Sequence, residues 1–281
     1  MLTPQACRST RVTGDSYKKE NLGRYGASKL RGIGRLKLKG NKDMRVWQRW
    51  AVVILFAAAM AWVESAVVLD LRTLVSRIQP YQANPLPHSA SLGTAEVVRE
   101  AATLVMLATV GWLAGRTWRS RLGYAMVAFG VWDILYYVWL KVISGWPRSL
   151  FDWDVLFLLP VPWWGPVLAP VLISGLMIAG GTLVSVFEAE SRPVWPGRLA
   201  WALNLGGAAL ALYIFMAKTL HAALSQGSAV RTILPDRFNW PLFLAALALL
   251  AAPIVDASLK LWSRRLASGA LSTAGHGGSA K

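Results

Sequence analysis

Charge is scarce in this sequence. Only 16% of its 281 residues are Asp, Glu, Lys or Arg, whereas soluble domains carry about 25%, so a water-covered globule is excluded. Acids are scarcer than bases, with 14 Asp and Glu against 30 Lys and Arg and a formal net charge of +16. Cysteine occurs once, as Cys7, which excludes an intramolecular disulfide framework and any Cys-rich zinc or iron–sulfur site. Histidine occurs at His88, His221 and His276 only. That leaves little material for a His-based metal centre, and no metal and no cofactor are expected. The HExxH and GxSxG strings and an Asp-rich prenyl-diphosphate motif are also missing. There is no repeat of 20–50 residues and no similarity between the halves, which weakens an inverted-repeat transporter.

What is present in quantity is apolar: 55% hydrophobic residues and a mean hydropathy of +0.41. A bilayer core takes about 20 mostly apolar residues as a helix, and six windows meet that length. They run over Trp50–Leu69, Ala95–Gly115, Leu122–Ile143, Trp164–Phe187, Leu199–Leu224 and Trp240–Trp262. The expected fold is therefore all-α, a polytopic membrane helix bundle of six transmembrane helices. An amphipathic or re-entrant segment is expected between the third and fourth.

Basic residues mark cytoplasmic connections. Arg45 and Arg49 precede the first span, and Arg116, Arg119 and Arg121 fill the second connection. Arg192 and Arg198 fill the fourth, and Lys260, Arg264 and Arg265 follow the last span. With six spans all of these fall on one side, which places both termini in the cytoplasm. The 15 tryptophans support the layout, because Trp47, Trp50, Trp118, Trp195, Trp201 and Trp262 gather at one set of span ends. Trp146, Trp153, Trp163, Trp164 and Trp240 gather at the other, as interfacial belts do. A cleaved signal peptide is the rival for the first span, although its apolar run beyond the alanines argues for retention.

Half of the charge excess sits in residues 1–43, which read as a disordered basic tail. It is a cytoplasmic tail near anionic lipid, a transit-like segment, or an over-extended reading frame with Met44 as the start. The six-helix domain is expected over 44–265, and a flexible cytoplasmic tail over 266–281. The basic charge aside, the apolar bulk argues against nucleic acid as a partner.

Ionisable side chains inside spans are the informative ones, since a charge at the bilayer centre costs about 2.5–3.5 kcal/mol even on the lenient scale. Asp133, Tyr137 and Lys141 are four apart on one face of the third span, with Tyr136 beside them. They read either as a polar wall of an outward-open cavity or as an internal hydrogen-bonded strut. Glu64 lies near the outer end of the first span, level with Arg99 and Glu100 at the start of the second. Arg99 can pair with Glu96 but not with its neighbour Glu100. Glu64 needs a partner from another helix, with Arg99, Lys141 or Lys218 available. Clustered carboxylates suggest proton handling, cation binding or acid–base work, whereas a buried pair can be purely structural. His221, three residues beyond Lys218 on the fifth span, is more often a hydrogen-bonded histidine than a ligand.

The segment from Gly145 to Pro166, with Trp146, Asp152, Trp153 and Asp154, suits an interfacial helix or re-entrant lid over the bundle. In a helix Asp152 and Asp154 would point in different directions, and one of them would cap a turn. At the inner end, Asp256 and Lys260 are four apart and most simply pair with each other.

The strings Trp132-Asp133-Ile134-Leu135-Tyr136-Tyr137, Gly145-Trp146-Pro147, Trp153-Asp154 and Pro160-Val161-Pro162-Trp163-Trp164-Gly165-Pro166 resemble those of a family of uncharacterised bacterial multi-pass membrane proteins. The likeness extends to Arg99-Glu100-Ala101-Ala102-Thr103-Leu104 and covers spans one to four. It implies a bacterial inner-membrane location and carries no activity with it. Three functional classes stand. The first is a small carrier or ligand-binding protein with an outward polar pocket lined by Glu64, Arg99, Glu100, Asp133, Tyr137, Lys141 and His221. The others are a non-catalytic subunit bound to membrane protein partners, and a membrane-embedded enzyme on a lipid or isoprenoid substrate. The lipid bilayer is a partner in all three.

Overall fold

The structure, a computed structural model, describes the backbone of residues 20–74, 80–81, 90–157, 162–187, 195–226 and 237–276. Among the described residues there are six helices: α1 (Glu20–Leu74), α2 (Ala90–Ala114), α3 (Trp118–Ser144), α4 (Leu168–Phe187), α5 (Arg198–Gln226) and α6 (Trp240–His276). Two short strands, β1 (Trp153–Phe157) and β2 (Trp163–Pro166), lie between α3 and α4. Each helix contains a stretch long and apolar enough to cross a membrane, with a mean hydropathy from 1.5 to 2.3. The protein is an all-α polytopic bundle. Two units are distinct, Met1–Arg45 and Val46–Lys281. Of the expected basic tail, residues 1–19 lie outside the described residues, and α1 begins at Glu20. At the other terminus α6 runs to His276, and residues 277–281 lie outside the described residues.

Helix ends follow from local chemistry. Thr117 caps α3 in extended geometry, its side chain accepting from the Ser120 N–H, while the Ser120 hydroxyl accepts from the Thr117 N–H to close a capping box. Gly145 ends the helix in the left-handed region at φ 73°, a conformation that costs glycine no Cβ clash. Inside α6, Pro253 leaves the Leu249 carbonyl without its usual helical donor. One residue on, the Asn204 side chain of α5 donates to the Leu250 carbonyl at 2.8 Å, tying the two helices together next to the break.

Helix association in lipid cannot rely on burying apolar surface, because lipid tails are as apolar as leucine. Close packing of small residues does that work here. Along α1, Val53, Ala57 and Ala61 recur every fourth residue and pack on Leu107 of α2 and on Tyr124, Val127, Ala128 and Val131 of α3. A second core joins Ala169 of α4, Ala211 and Phe215 of α5, and Phe243 and Ala246 of α6. Between the two cores, α3 and α4 meet backbone to backbone. A Cβ added to Gly130 would lie 2.6 Å from the Ser174 carbonyl oxygen and 2.8 Å from the Ile178 side chain. This close approach brings the Ser174 hydroxyl to Asp133.

The connection from α3 to α4 departs from the sequence expectation. Trp164, Gly165 and Pro166, read as the start of the fourth span, are strand β2, and α4 begins at Leu168. The segment expected as an interfacial helix or re-entrant lid is not helical but an antiparallel hairpin, with Trp153 opposite Pro166, Asp154 opposite Gly165 and Val155 opposite Trp164. Aromatic and β-branched residues favour strands, and the prolines oppose a helix through this stretch. Pro160 and Val161 lie outside the described residues. An isolated two-stranded hairpin is marginal in water, so this one depends on what it touches. Trp153 stacks on Tyr81 and meets Phe238 edge-on, and the Thr219 hydroxyl donates to the Pro162 carbonyl at 2.9 Å.

Replacing Gly130 with Ala inserts a methyl group where α3 and α4 leave no room. The expected result is a loss of about 1–3 kcal/mol of stability, read as a lower unfolding midpoint in detergent. Gly175 has open space around it, so Gly175→Ala leaves the midpoint nearly unchanged.

Candidate functional site

Three helices and one strand bring their ionisable residues together at the end of the bundle where α1 finishes and α2 starts. Glu64 of α1 is buried, its side chain 7% exposed, and forms an ion pair with Arg99 of α2. Arg99 also holds Glu96, one helical turn earlier, through Nη2 at 2.6 Å and Nε at 2.7 Å. One turn after Arg99, the Thr103 hydroxyl donates to Glu64 Oε2 at 3.1 Å. Both Glu64 oxygens are thus engaged by α2, as a carboxylate shut away from water requires. Glu100, half-buried on the following position of α2, lies within electrostatic range of Arg99 and Glu96.

Two turns beyond Glu64, Arg72 reaches across to the hairpin. Its Nη2 lies 3.0 Å from Asp154 Oδ1, and the Asp154 side chain is 1% exposed. The Arg72 guanidinium also sits 4.3 Å from the centre of the buried Trp146 ring, a cation–π arrangement that favours the planar guanidinium. Burial pushes the Asp154 carboxyl above its ordinary range, and Arg72 opposes that shift. Tyr137 of α3 approaches the same side chain, and Asp154 Oδ2 has no hydrogen-bond partner among the described residues. Tyr136, in edge-to-face contact with Tyr137 at 5.0 Å, lies within electrostatic range of both Arg72 and Arg99 and so links the two ion-pair groups. One turn deeper, the buried Asp133 accepts from the Ser174 hydroxyl at 2.8 Å.

The cluster therefore joins Glu64, Arg99, Glu100 and Tyr137, as read from the sequence, to Asp154 of the hairpin. Arg99 is the partner that Glu64 requires. Asp133 stands at the deep edge with its own partner from α4. Lys141, on the same stripe, is exposed and donates to the Gly145 carbonyl at 3.2 Å. His221 is exposed on α5. Within the expected lid, Trp146 is buried beneath Arg72, and Trp153 is half-buried in β1. Asp152 accepts from the backbone N–H groups of Arg148 and Ser149 in the turn before β1. At the opposite end, Lys260 pairs with Asp256 at 2.7 Å.

No protein-family model, curated protein or solved structure matches this chain. Its chemistry has to be argued from the cluster alone. Among the described residues, no three His, Cys, Asp or Glu side chains are grouped as a metal ion would need, and His88 lies outside them. Among the described residues, the carboxylates of Glu64, Glu96 and Asp154 share the Arg99 and Arg72 guanidiniums, so the cluster is rich in acid. Such a group can hold a proton or a positively charged ligand.

Arg72, Thr103 and Ser174 are the residues that sequence reasoning did not single out. Arg72 had one available signal, an arginine directly after an apolar span on the side otherwise poor in bases. Thr103 and Ser174 had none, since uncharged hydroxyls are common in membrane helices.

Removing one member of a buried ion pair orphans the other. Arg99→Met is expected to cost about 3–5 kcal/mol, seen as a drop in unfolding midpoint. Adding Glu64→Leu to that variant is expected to recover part of the loss, because the more deeply buried of the two orphaned carboxylates is then gone while Glu96 remains.

Proposed function

We propose that this membrane protein is a small-solute carrier or ligand-binding protein of the bacterial inner membrane. Both termini lie in the cytoplasm, and the acid-rich cluster faces outward as the binding site. The observation that carries this reading is the imbalance of the cluster. Among the described residues the carboxylates of Glu64, Glu96 and Asp154 share the two guanidiniums of Arg99 and Arg72, and the buried Asp154 Oδ2 has no hydrogen-bond partner there. That excess suits a solute carrying a positive charge, with the ammonium group taking the place of a missing cation. Glu96 and Glu100 would receive it near the surface, and Glu64 and Asp154 would hold it deeper. The hairpin with Trp146 and Trp153 would act as the cover over the site.

A second reading, a subunit that uses the same residues to fix helix packing, is favoured by the satisfied Asp133–Ser174 and Glu64–Thr103 hydrogen bonds. The enzyme reading has no such support from the geometry.

Equilibrium binding of tetraethylammonium to the purified protein, beside mass spectrometry of what co-purifies with it, separates the two. The carrier reading expects saturable binding that Glu100→Gln weakens about tenfold, equivalent to about 1.4 kcal/mol. Absence of binding together with a stoichiometric protein partner supports the subunit reading instead.

A further inference from the structure

The opposite end of the bundle has the reverse electrostatics. The turn between α2 and α3 carries Arg116, with Arg119 and Arg121 in the opening turns of α3, and Arg49 of α1 lies alongside. Arg49 donates to the Ala114 carbonyl at 3.2 Å. The Arg121 guanidinium lies 3.8 Å from the centre of the Trp112 ring, and its buried Nε has no hydrogen-bond partner. Arg119 lies 4.5 Å from the Trp195 ring centre and 5.8 Å from that of Trp118, two rings themselves in edge contact at 5.4 Å. No carboxylate among the described residues pairs with any of these four arginines. Asp256, the described acid at this end, is occupied by Lys260 and by the Gly197 N–H, each at 2.7 Å.

We propose that this arginine cluster is a binding site for the headgroup of an anionic phospholipid. Aromatic faces hold the Arg119 and Arg121 guanidiniums without using their N–H groups, so the planar donor forks remain available. Those forks match the oxygens of a phosphodiester two at a time. The surroundings set the depth and the kind of partner. Trp112 is 60% exposed, Leu113 78% and Trp118 60%, at the end of helices apolar enough to cross a membrane. Tryptophan of this kind marks the headgroup level of a bilayer, and the adjoining exposed apolar surface of α2 provides a bed for acyl chains. A free anion would use the arginines but not that surface. The site is independent of the acid-rich cluster and of the function proposed for it.

The test is native mass spectrometry of the full chain in micelles doped with equal phosphatidylglycerol and phosphatidylcholine. Wild type is expected to retain phosphatidylglycerol over phosphatidylcholine by about tenfold, in keeping with the attraction each arginine exerts on anionic lipid. The double variant Arg119→Gln/Arg121→Gln is expected to lose that preference. Arg148→Gln, exposed near the hairpin, is expected to keep it. Inorganic phosphate in excess is expected to leave phosphatidylglycerol bound. If the double variant does not fold, Arg116→Gln, whose side chain is exposed, is expected to lower the preference about threefold on the same basis. Equal retention of the two lipids by wild type would overturn the proposal. So would an undiminished preference in the glutamine variant that folds, or full displacement by phosphate.

Discussion

The pair between Arg72 and Asp154 is the interaction on which the acidic end of the protein depends. Asp154 is almost wholly shut from solvent, its side chain 1% exposed, and taking an ion out of water costs several kcal/mol. That cost is bearable only where an opposite charge and hydrogen bonds wait in place. Arg72 supplies the charge from the last turns of α1, and Trp146 supplies an aromatic face for the guanidinium. A two-stranded hairpin has little stability of its own, so its position over the bundle follows from this pair, from the Trp153–Phe238 contact and from the packing of Trp163 on the core of α4, α5 and α6. The hairpin in turn brings Asp154 close to Tyr137 and adds a fourth carboxylate to those of α1 and α2.

A membrane bundle cannot spread its charge over a surface as a soluble protein does, and here the described charges other than Asp133 gather toward the two ends. One end holds carboxylates in excess of guanidiniums, buried and cross-linked by ion pairs. The other holds arginines lying against tryptophan rings. Between them the helices rely on small residues, with Gly130 against Ser174 and the alanines of α1 against α3. The close approach at Gly130 is also what brings a hydroxyl to Asp133 at mid-helix, so packing and polar satisfaction are set by the same residues.

Much of the helical frame was legible in the sequence, because a bilayer imposes a minimum apolar length and the six runs meet it. The depth of Glu64 and Arg99 within their spans was legible too, and a buried glutamate with no base within a turn had to look to another helix. The stripe of Asp133, Tyr137 and Lys141 was less informative. Equal spacing puts three residues on one face but does not say how far that face is covered, and Lys141 emerges at the helix end, exposed. The hairpin was hidden for a different reason. Short stretches of tryptophan, valine and proline carry no period long enough to separate strand from helix, and the pairing of β1 with β2 decides the outcome. Arg72 was missed because its importance comes from Asp154, a residue 82 positions away whose strand was not foreseen.

The most direct test of this account is amide hydrogen exchange, resolved by mass spectrometry, on the full chain with Asp154 intact and as Asp154→Asn. If the Arg72–Asp154 pair pins the hairpin, the variant will exchange faster over 153–157 and 163–166, and at Val167 and Leu168, whose N–H groups donate to the Asp152 and Leu150 carbonyls. Exchange in α5 and α6 will stay as it was. Unchanged protection of the hairpin in a folded variant would contradict the central place given to that ion pair.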